Sequence, residues 1–366
     1  MKVGRYSYPS QFSDIDLLMG EIRRMILAGR YILTPEVEAF EKAFAEMHGA
    51  RFGRGVNTGT DALAIAFAAL DISDGDEVIT QANTFNATVA AIRMVGAIPV
   101  LVDADGDTYL MDIRQVEQAI TSRTKAIVPV HLYGKLTAMN ELLAIAAKHG
   151  VYVVEDAAQA HGARMDGRGA GSFGVAGCFS FHPSKNLAAA GDGGAIITSD
   201  ENVSRRIDEL RALGQRGQNN HVEAGFNSKL DAIQAVVLSA KLPHLAQGNQ
   251  SRRQAAAEYR RGLEGLPITF QAPSPGEEHV YHLFAVRTPR RDELLHYLVG
   301  AGVDAVIRYP QPIHLQPAFA EFAWRAGQFP VAESLARELL CLPIRPDLQA
   351  SEIAYVCEQA RIFFQA

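Results

Sequence analysis

Apolar positions recur along this chain with two different periods, and their alternation sets the expected architecture. Over Asp14 to Leu27, the residues Ile15, Leu18, Ile22 and Met25–Ile26 fall at helical spacing, which predicts an amphipathic helix. Gly29-Arg30-Tyr31-Ile32 breaks it. Thr34-Pro35-Glu36-Val37 then opens a second helix, with Thr as N-cap, Pro at the first helical position, and Val37, Phe40 and Phe44 on one face. From Asn57 onward the two periods alternate. Helices are predicted over Gly59 to Leu70, Thr84 to Val95, Asp112 to Ile120 and Thr137 to His149. Strands are predicted over Asp76 to Thr80, Ile98 to Asp103, Lys125 to Leu132 and Val151 to Val154. Several of these strands are near-continuous apolar runs, as in parallel strands buried on both faces. The βαβα order therefore predicts an α/β fold: a three-layer α/β/α large domain around a mostly parallel sheet, with right-handed crossovers.

Two more strand-like runs, Cys178 to Phe181 and Ala195 to Thr198, flank a loop of small residues. A helix follows over Val203 to Leu213, then a polar, Gly-rich loop from Gly214 to Gly225. Lys229 to Leu245 reads as one long helix that Pro243 bends or ends, and Gln250 to Leu263 as another. Pro273-Ser274-Pro275-Gly276-Glu277-Glu278 marks a turn-rich break. Beyond it lie a strand over Val280 to Arg287 and helices over Arg291 to Gly302 and Ala332 to Leu340. The expected division is an N-terminal segment and large domain over 1–244 and a smaller C-terminal α/β domain over 245–366.

At 366 residues the chain is long enough for two such domains. A net charge of −6 leaves no basic footprint for nucleic acid or an anionic membrane. The longest apolar run, Leu63 to Leu70, is too short to span a bilayer, and the N-terminus lacks the apolar core of a signal peptide. Cys178, Cys341 and Cys357 are scattered, which argues against a zinc site or a disulfide framework, so no metal is expected. They fit a reducing cytoplasm.

The loop between the two apolar runs, His182-Pro183-Ser184-Lys185-Asn186-Leu187-Ala188-Ala189-Ala190-Gly191, carries one lysine with no acidic residue until Asp192. Most lysines are solvated surface charges. An amine in weakly polar surroundings has a lowered pKa and becomes a nucleophile for carbonyls, so Lys185 is the candidate to hold a cofactor as a Schiff base. Pyridoxal phosphate (PLP) would need a phosphate seat, a partner for its ring nitrogen and a cover for its ring. Asn57-Thr58-Gly59-Thr60-Asp61 opens a helix whose N–H groups suit a phosphate, although Thr58 or Thr60 equally suits an ordinary N-cap. Ser180 is a second phosphate donor or a plain strand serine. Val153-Val154-Glu155-Asp156 ends a buried strand at the edge where open α/β sheets place ligands. There Asp156 can keep the ring nitrogen protonated or cap the next turn, while Glu155 should point to the opposite face. Phe85 is either a ring cover or core, Gln159 a donor to the phenolic oxygen or a loop residue, and His161 structural.

With these stretches in view, the chain resembles the DegT/DnrJ/EryC1/StrS sugar aminotransferases, within the PLP-dependent transferases of fold type I. The matching pieces run in the family's order over nearly the whole chain. They are Gly29-Arg30-Tyr31-Ile32-Leu33, Asn57-Thr58-Gly59-Thr60-Asp61-Ala62-Leu63, Glu155-Asp156-Ala157-Ala158-Gln159, Ser180-Phe181-His182-Pro183-Ser184-Lys185-Asn186-Leu187, Gly191-Asp192-Gly193-Gly194-Ala195, Asn227-Ser228-Lys229-Leu230-Asp231 and Tyr309-Pro310 with His314-Leu315-Gln316-Pro317. The resemblance implies that Lys185 forms the Schiff base and Asp156 pairs with the ring nitrogen. It gives Gln159 to the phenolic oxygen, Phe85 to the ring face, and Gly59, Thr60 and Ser180 to the phosphate. Asn227 would reach the phosphate of the partner subunit in a homodimer.

The implied reaction is ping-pong transfer of an amino group from glutamate, through the pyridoxamine form (PMP), to a keto-sugar linked to a nucleoside diphosphate (NDP). Arg308, beside Tyr309 and near His314, is the candidate to hold the sugar or its diphosphate, because a guanidinium matches phosphate bidentately. The family's usual His before Tyr-Pro is Arg308 here, Thr34 replaces a frequent Gly, and Asn86 replaces a commonly apolar residue. Dehydration of a keto-sugar, amination of a cyclitol-like ring and a non-enzymatic regulatory role are the alternatives. Lys185, which some dehydrating relatives replace by His, favours amino transfer.

Overall fold

The computed structural model describes residues 1–12 and 14–365. Helices α1 (Ile15–Leu27) and α2 (Pro35–His48) come first, α2 with Thr34 as N-cap and Pro35 in its first turn. Then the chain alternates: β1 (Phe52–Val56), α3 (Gly59–Ala69), β2 (Glu77–Gln81), α4 (Asn86–Met94), β3 (Ile98–Val102), α5 (Ile113–Ala119), β4 (Thr124–Val128), α6 (Met139–His149) and β5 (Tyr152–Asp156). Two short strands, β6 (Arg164–Met165) and β7 (Arg168–Gly169), precede β8 (Ala176–Ser180), β9 (Gly194–Thr198) and α7 (Glu201–Arg211). The seven long strands form one sheet in the order β1-β9-β8-β5-β4-β2-β3. Only β9 runs against its neighbours; from β8 to β3 every pairing is parallel. The expected mostly parallel sheet is therefore present.

The strands are apolar throughout because both faces are covered. Alternate residues serve different layers: Ile79, Ile127, Val153, Phe179 and Ile197 join a core with α2 and α6, while Val78, Ala126, Val154, Cys178 and Ile196 join one with α3 and α7. Strand β1 carries Gly53 and Gly55 and has no apolar periodicity, so the sequence did not announce it. The glycines are there because other segments lie close: a Cβ on Gly53 would sit 2.3 Å from the Glu41 carbonyl oxygen of α2, and one on Gly55 2.6 Å from Leu230 Cβ.

The helix expected over 229–245 ends at Pro243, and the helix expected from Gln250 starts earlier, at Leu245. Pro243 lacks the N–H a helix interior needs and its ring clashes with the preceding turn. Thus α8 (Ala232–Lys241) gives way to a 3₁₀ turn, and α9 (Leu245–Gly262) starts beyond it. Then come β10 (Thr269–Phe270), β11 (Glu277–Glu278), β12 (Phe284–Arg287), α10 (Arg291–Gly300), α11 (Pro330–Glu338), β13 (Leu339–Leu342) and α12 (Ala350–Gln365). Leu340, expected in a helix, is in β13, because pairing with β12 captures Leu339–Leu342. The strand expected from Val280 begins at Phe284. Strands β10, β12 and β13 form a second, antiparallel sheet. Its core holds Ala256, Tyr259, Phe284, Leu298, Leu340 and Val356, and Val3, which pairs with Val303, joins it.

Strand alternation separates two adjacent carboxylates, as expected. Glu155 points away from Asp156 and is fully buried. It accepts from His131 Nε2 at 2.9 Å and from the N–H groups of Gly171 (2.7 Å), Phe173 (2.6 Å) and Gly174 (2.7 Å). Removing it leaves those donors buried and unpaired, which costs about 1–3 kcal/mol for each group left unsatisfied. Glu155→Ala should lower the urea midpoint by an amount equivalent to at least about 3 kcal/mol. An unchanged midpoint would show that Glu155 does not organise this edge of the sheet.

Candidate active site

The carboxyl edge of the parallel sheet carries a cavity of about 310 Å³. Gly59, Thr60, Phe85, Asp156, Gln159, Ser180, Lys185, Arg308 and Tyr309, all singled out from the sequence, line it. They arrive on different elements because each parallel strand ends at the same edge. Asp156 ends β5 and Ser180 ends β8. Gly59 and Thr60 begin α3, just beyond β1, and Phe85 is the N-cap of α4, just beyond β2.

Thr58 is the cap of α3, its hydroxyl accepting from Asp61 N at 3.0 Å. Thr60 is therefore not the cap. Gly59 and Thr60 occupy the first helical positions, whose N–H groups have no carbonyl within the helix. A Cβ on Gly59 would lie 2.6 Å from Ser180 Cβ. Only glycine lets the helix end and the strand end come this close, and together they form a cradle of N–H and O–H donors.

Asp156 is 6% exposed. Thr88 Oγ1 donates to its Oδ2 at 2.8 Å and Ala158 N to its Oδ1 at 3.2 Å. Burial pushes its pKa up; those two bonds and the charges of Lys185 and His131 pull it back only in part. Lys185 is half-buried on a loop tied at several points. Phe181 N bonds Gly193 O (2.7 Å), and Asn186 Nδ2 bonds Asn249 Oδ1 and Val280 O (both 3.0 Å). Burial lowers the Lys185 amine to about 8, with the nearby Arg308 adding to the fall and Asp156 opposing it.

Gln159 is locked in place. Its Oε1 accepts from Tyr133 N at 2.6 Å and its Nε2 donates to the Tyr309 hydroxyl at 3.1 Å. Tyr133 in turn donates to Arg308 O at 2.5 Å. Phe85, 50% exposed, stacks on Tyr309 with centroids 5.1 Å apart and planes at 29°. It is a wall of the cavity, not core.

Two predicted residues stand elsewhere. His314 is buried, bonds Glu333 Oε1 at 3.0 Å and packs edge-on to Phe329, away from the cavity lining. Asn227 is exposed: its side chain bonds Lys229 and its carbonyl accepts from Asn57 Nδ2 at 3.1 Å. His161 lies within ring-contact distance of Phe44, Phe179 and Phe181, where burial holds it far below the usual histidine range. Among the described residues, no group of three or more His, Cys, Asp or Glu is placed to hold a metal.

Sequence reasoning missed Thr88, Tyr133, Tyr6 and His282, which bond or line the site. Thr88 had a signal: it is a hydroxyl residue in the first turn of the helix that Phe85 caps. Tyr6 had none, because it reaches the cavity from the far end of the chain.

A nucleophilic lysine, a buried carboxylate and an anion cradle around one cavity are what PLP requires, and the residues fit it. Comparison with known proteins agrees. The sequence profile of the DegT/DnrJ/EryC1/StrS aminotransferase family matches residues 15–361. The chain belongs to that family. It is 46% identical over 341 residues, 93% of this chain and 90% of the relative, to dTDP-3-amino-3,4,6-trideoxy-alpha-D-glucose transaminase of Streptomyces venezuelae. It is 42% identical over 351 residues (95% and 94%) to a protein of Geobacillus stearothermophilus named pleiotropic regulatory protein. The crystal structure of S. venezuelae DesV in complex with a ketimine intermediate superposes with a TM-score of 0.97 at 43% identity, covering 100% of this chain and 99% of that one. This chain is thus a PLP-dependent aminotransferase of fold type I.

The lowered amine gives a direct expectation. Below about pH 8 Lys185 carries its proton and is not nucleophilic; raising the pH through 8 frees it, whereas an ordinary lysine needs about 10.5. In the cofactor-free protein, an amine-acylating reagent should destroy PLP-binding capacity with a half-maximal rate near pH 8. A midpoint at the ordinary lysine value would show that the loop does not activate the amine.

Proposed function

We propose that this aminotransferase carries an amino group from glutamate to a keto-hexose linked to a nucleoside diphosphate, for amino-sugar biosynthesis. The observation that carries the reading is the convergence of Lys185, Asp156 and the Gly59–Ser180 cradle on one cavity. Bound PLP supplies the electron sink that lets a donor Cα–H bond break. The protein's own residues do the rest. Gly59, Thr60 and Ser180 bind the phosphate. Asp156 holds the proton at the ring nitrogen, Gln159 orients the phenolic oxygen and Phe85 covers the ring. With PLP bound, Lys185 would hold the cofactor through its amine and, when that amine is free, would serve as the acid–base group for the proton of the donor Cα. Arg308, beside the cofactor's lysine, is the cation available to the sugar or its diphosphate.

The relative named as a regulatory protein raises a second reading, in which the fold is kept without chemistry. Retention of both Lys185 and Asp156 in the cavity favours the enzyme.

The active form is proposed to be a homodimer with shared sites. Helix α1 and the turn after it expose Ile15, Leu17, Met19, Ile26, Leu27, Tyr31, Ile32 and Leu33, each 46–70% accessible. A patch of that kind is the mark of a protein–protein contact. It adjoins the Asn227 stretch, since Ala232 N bonds Tyr31 O at 2.8 Å and Ile32 bridges Asp231. A second copy seated there would bring its Asn227 towards the phosphate of the first. Three free, buried cysteines suit the cytoplasm, and no helix of the described residues is long and apolar enough to cross a membrane. The proposed division into domains at 244/245 is supported by the break between α8 and α9 at the turn that holds Pro243.

Incubation of the PMP form with a panel of NDP-keto-sugars, free keto-sugars and cyclitol ketones should return the visible cofactor band with the NDP-sugars. Return only with a cyclitol ketone would redirect the substrate assignment. Lys185→Ala should lose the visible band and slow transamination by about a thousandfold or more with an unchanged circular dichroism spectrum. Arg308→Ala should raise the sugar KM about tenfold, the loss of one charge-assisted bond; an unchanged KM removes Arg308 from the sugar site. For the dimer, Leu27→Glu should convert the sedimenting species to monomer and weaken PLP binding in step. A wild-type monomer with full activity would end that reading.

A further inference from the structure

Asp156 is buried, and burial favours its neutral form, yet its assignment to the ring nitrogen needs it charged. The first turn of α4 supplies what offsets this. Thr88, with no solvent exposure, donates its only hydroxyl proton to Asp156 Oδ2 at 2.8 Å. Thr88 Oγ1 also lies 2.8 Å from Oγ1 of Thr84, itself 2% exposed. With the Thr88 proton committed to the carboxylate, Thr84 must be the donor between the two threonines. The chain of hydroxyls therefore has a direction, from Thr84 to Thr88 to Asp156. A proton on Oδ2 directed at Thr88 would reverse it, and the Thr84 hydroxyl, with no other hydrogen-bond partner among the described residues, would be left buried without an acceptor. The remaining groups that act on Asp156 are the N–H of Ala158, 3.2 Å from Oδ1, and the charges of Lys185 and His131; the thiol of Cys178 and the Tyr309 hydroxyl feel its charge in turn.

We propose that Thr88, oriented by Thr84, is a positioning residue that keeps Asp156 ionised and thereby sets the protonation of the ring nitrogen of bound PLP. The proposal rests on the assignment of Asp156 to that nitrogen. It also gives one helical turn two tasks. Phe85, between the two threonines, stacks on Tyr309 at the cavity wall, while Thr84 and Thr88 reach beneath it to the carboxylate.

The test uses holoenzyme reconstituted with PLP carrying an isotopic label at the ring nitrogen, whose NMR shift reports protonation directly. Wild-type enzyme is expected to keep the ring protonated at neutral pH. Thr88→Val, which swaps the hydroxyl for a methyl group of similar shape, should keep the visible band. Its ring nitrogen should lose the proton at a pH lower by about one unit, and kcat should fall about tenfold, the rate equivalent of that unit, while KM for glutamate stays within about twofold. Thr88→Ser should restore the wild-type shift. Thr84→Val should move the midpoint in the same direction by less, and it decides the matter if Thr88→Val fails to fold. A protonated wild-type ring whose midpoint moves in neither valine variant overturns the relay alone. An unprotonated wild-type ring overturns the Asp156 assignment and the relay with it.

Discussion

A carboxylate taken out of water must be given donors or a cation, and two neighbouring carboxylates on β5 meet that demand in opposite ways. Glu155 receives four donors, three of them backbone N–H groups, and nothing further can be asked of it. Asp156 receives two, faces the cavity, and shares it with an amine that burial has made less willing to carry a proton. The first arrangement is finished and serves the fold. The second keeps accepting capacity to spare on the side that faces the cavity. That difference in saturation, on adjacent residues, leaves one carboxylate closed within the fold and the other open to the cavity.

The rest of the molecule serves to hold that incomplete site open and rigid. Six strands running one way bring their carboxyl ends, and the helices that follow them, to a single edge. The Lys185 loop is tied to β8, β9 and α9, so the amine is presented on a fixed support. Gln159 is fixed from both sides by Tyr133 and Tyr309. Arg308 and Tyr309 come from beyond α10, so the cavity closes only when the C-terminal part of the chain packs against the large sheet. One wall of the cavity thus belongs to the edge of the sheet and the other to segments that reach it from the C-terminal part of the chain.

What could be read from the sequence was local. Lys185, Asp156, Gly59 and Thr60 each lie in a short stretch whose composition states its own chemistry, and each lines the cavity. The parallel sheet was legible from apolar runs in alternation with helices. What escaped had no local signature. Strand β1 is interrupted by glycines that answer to α2 and to Leu230, not to the strand itself. Leu340 sits at the end of a helical pattern but is drawn into β13 by pairing with β12. His314, next to the Arg308-Tyr309 pair in sequence, turns to Glu333 instead of the cavity.

The sequence by itself determined the lysine loop, the helix start at Gly59 and the carboxylate at a strand end, because period, capping and charge are properties of a few adjacent residues. Tertiary structure alone decided who completes them. Thr88 meets Asp156 across 68 positions of chain, and Gly59 needs its missing side chain only because Ser180 arrives beside it. Partners that distant share no pattern along the chain, so only packing could name them.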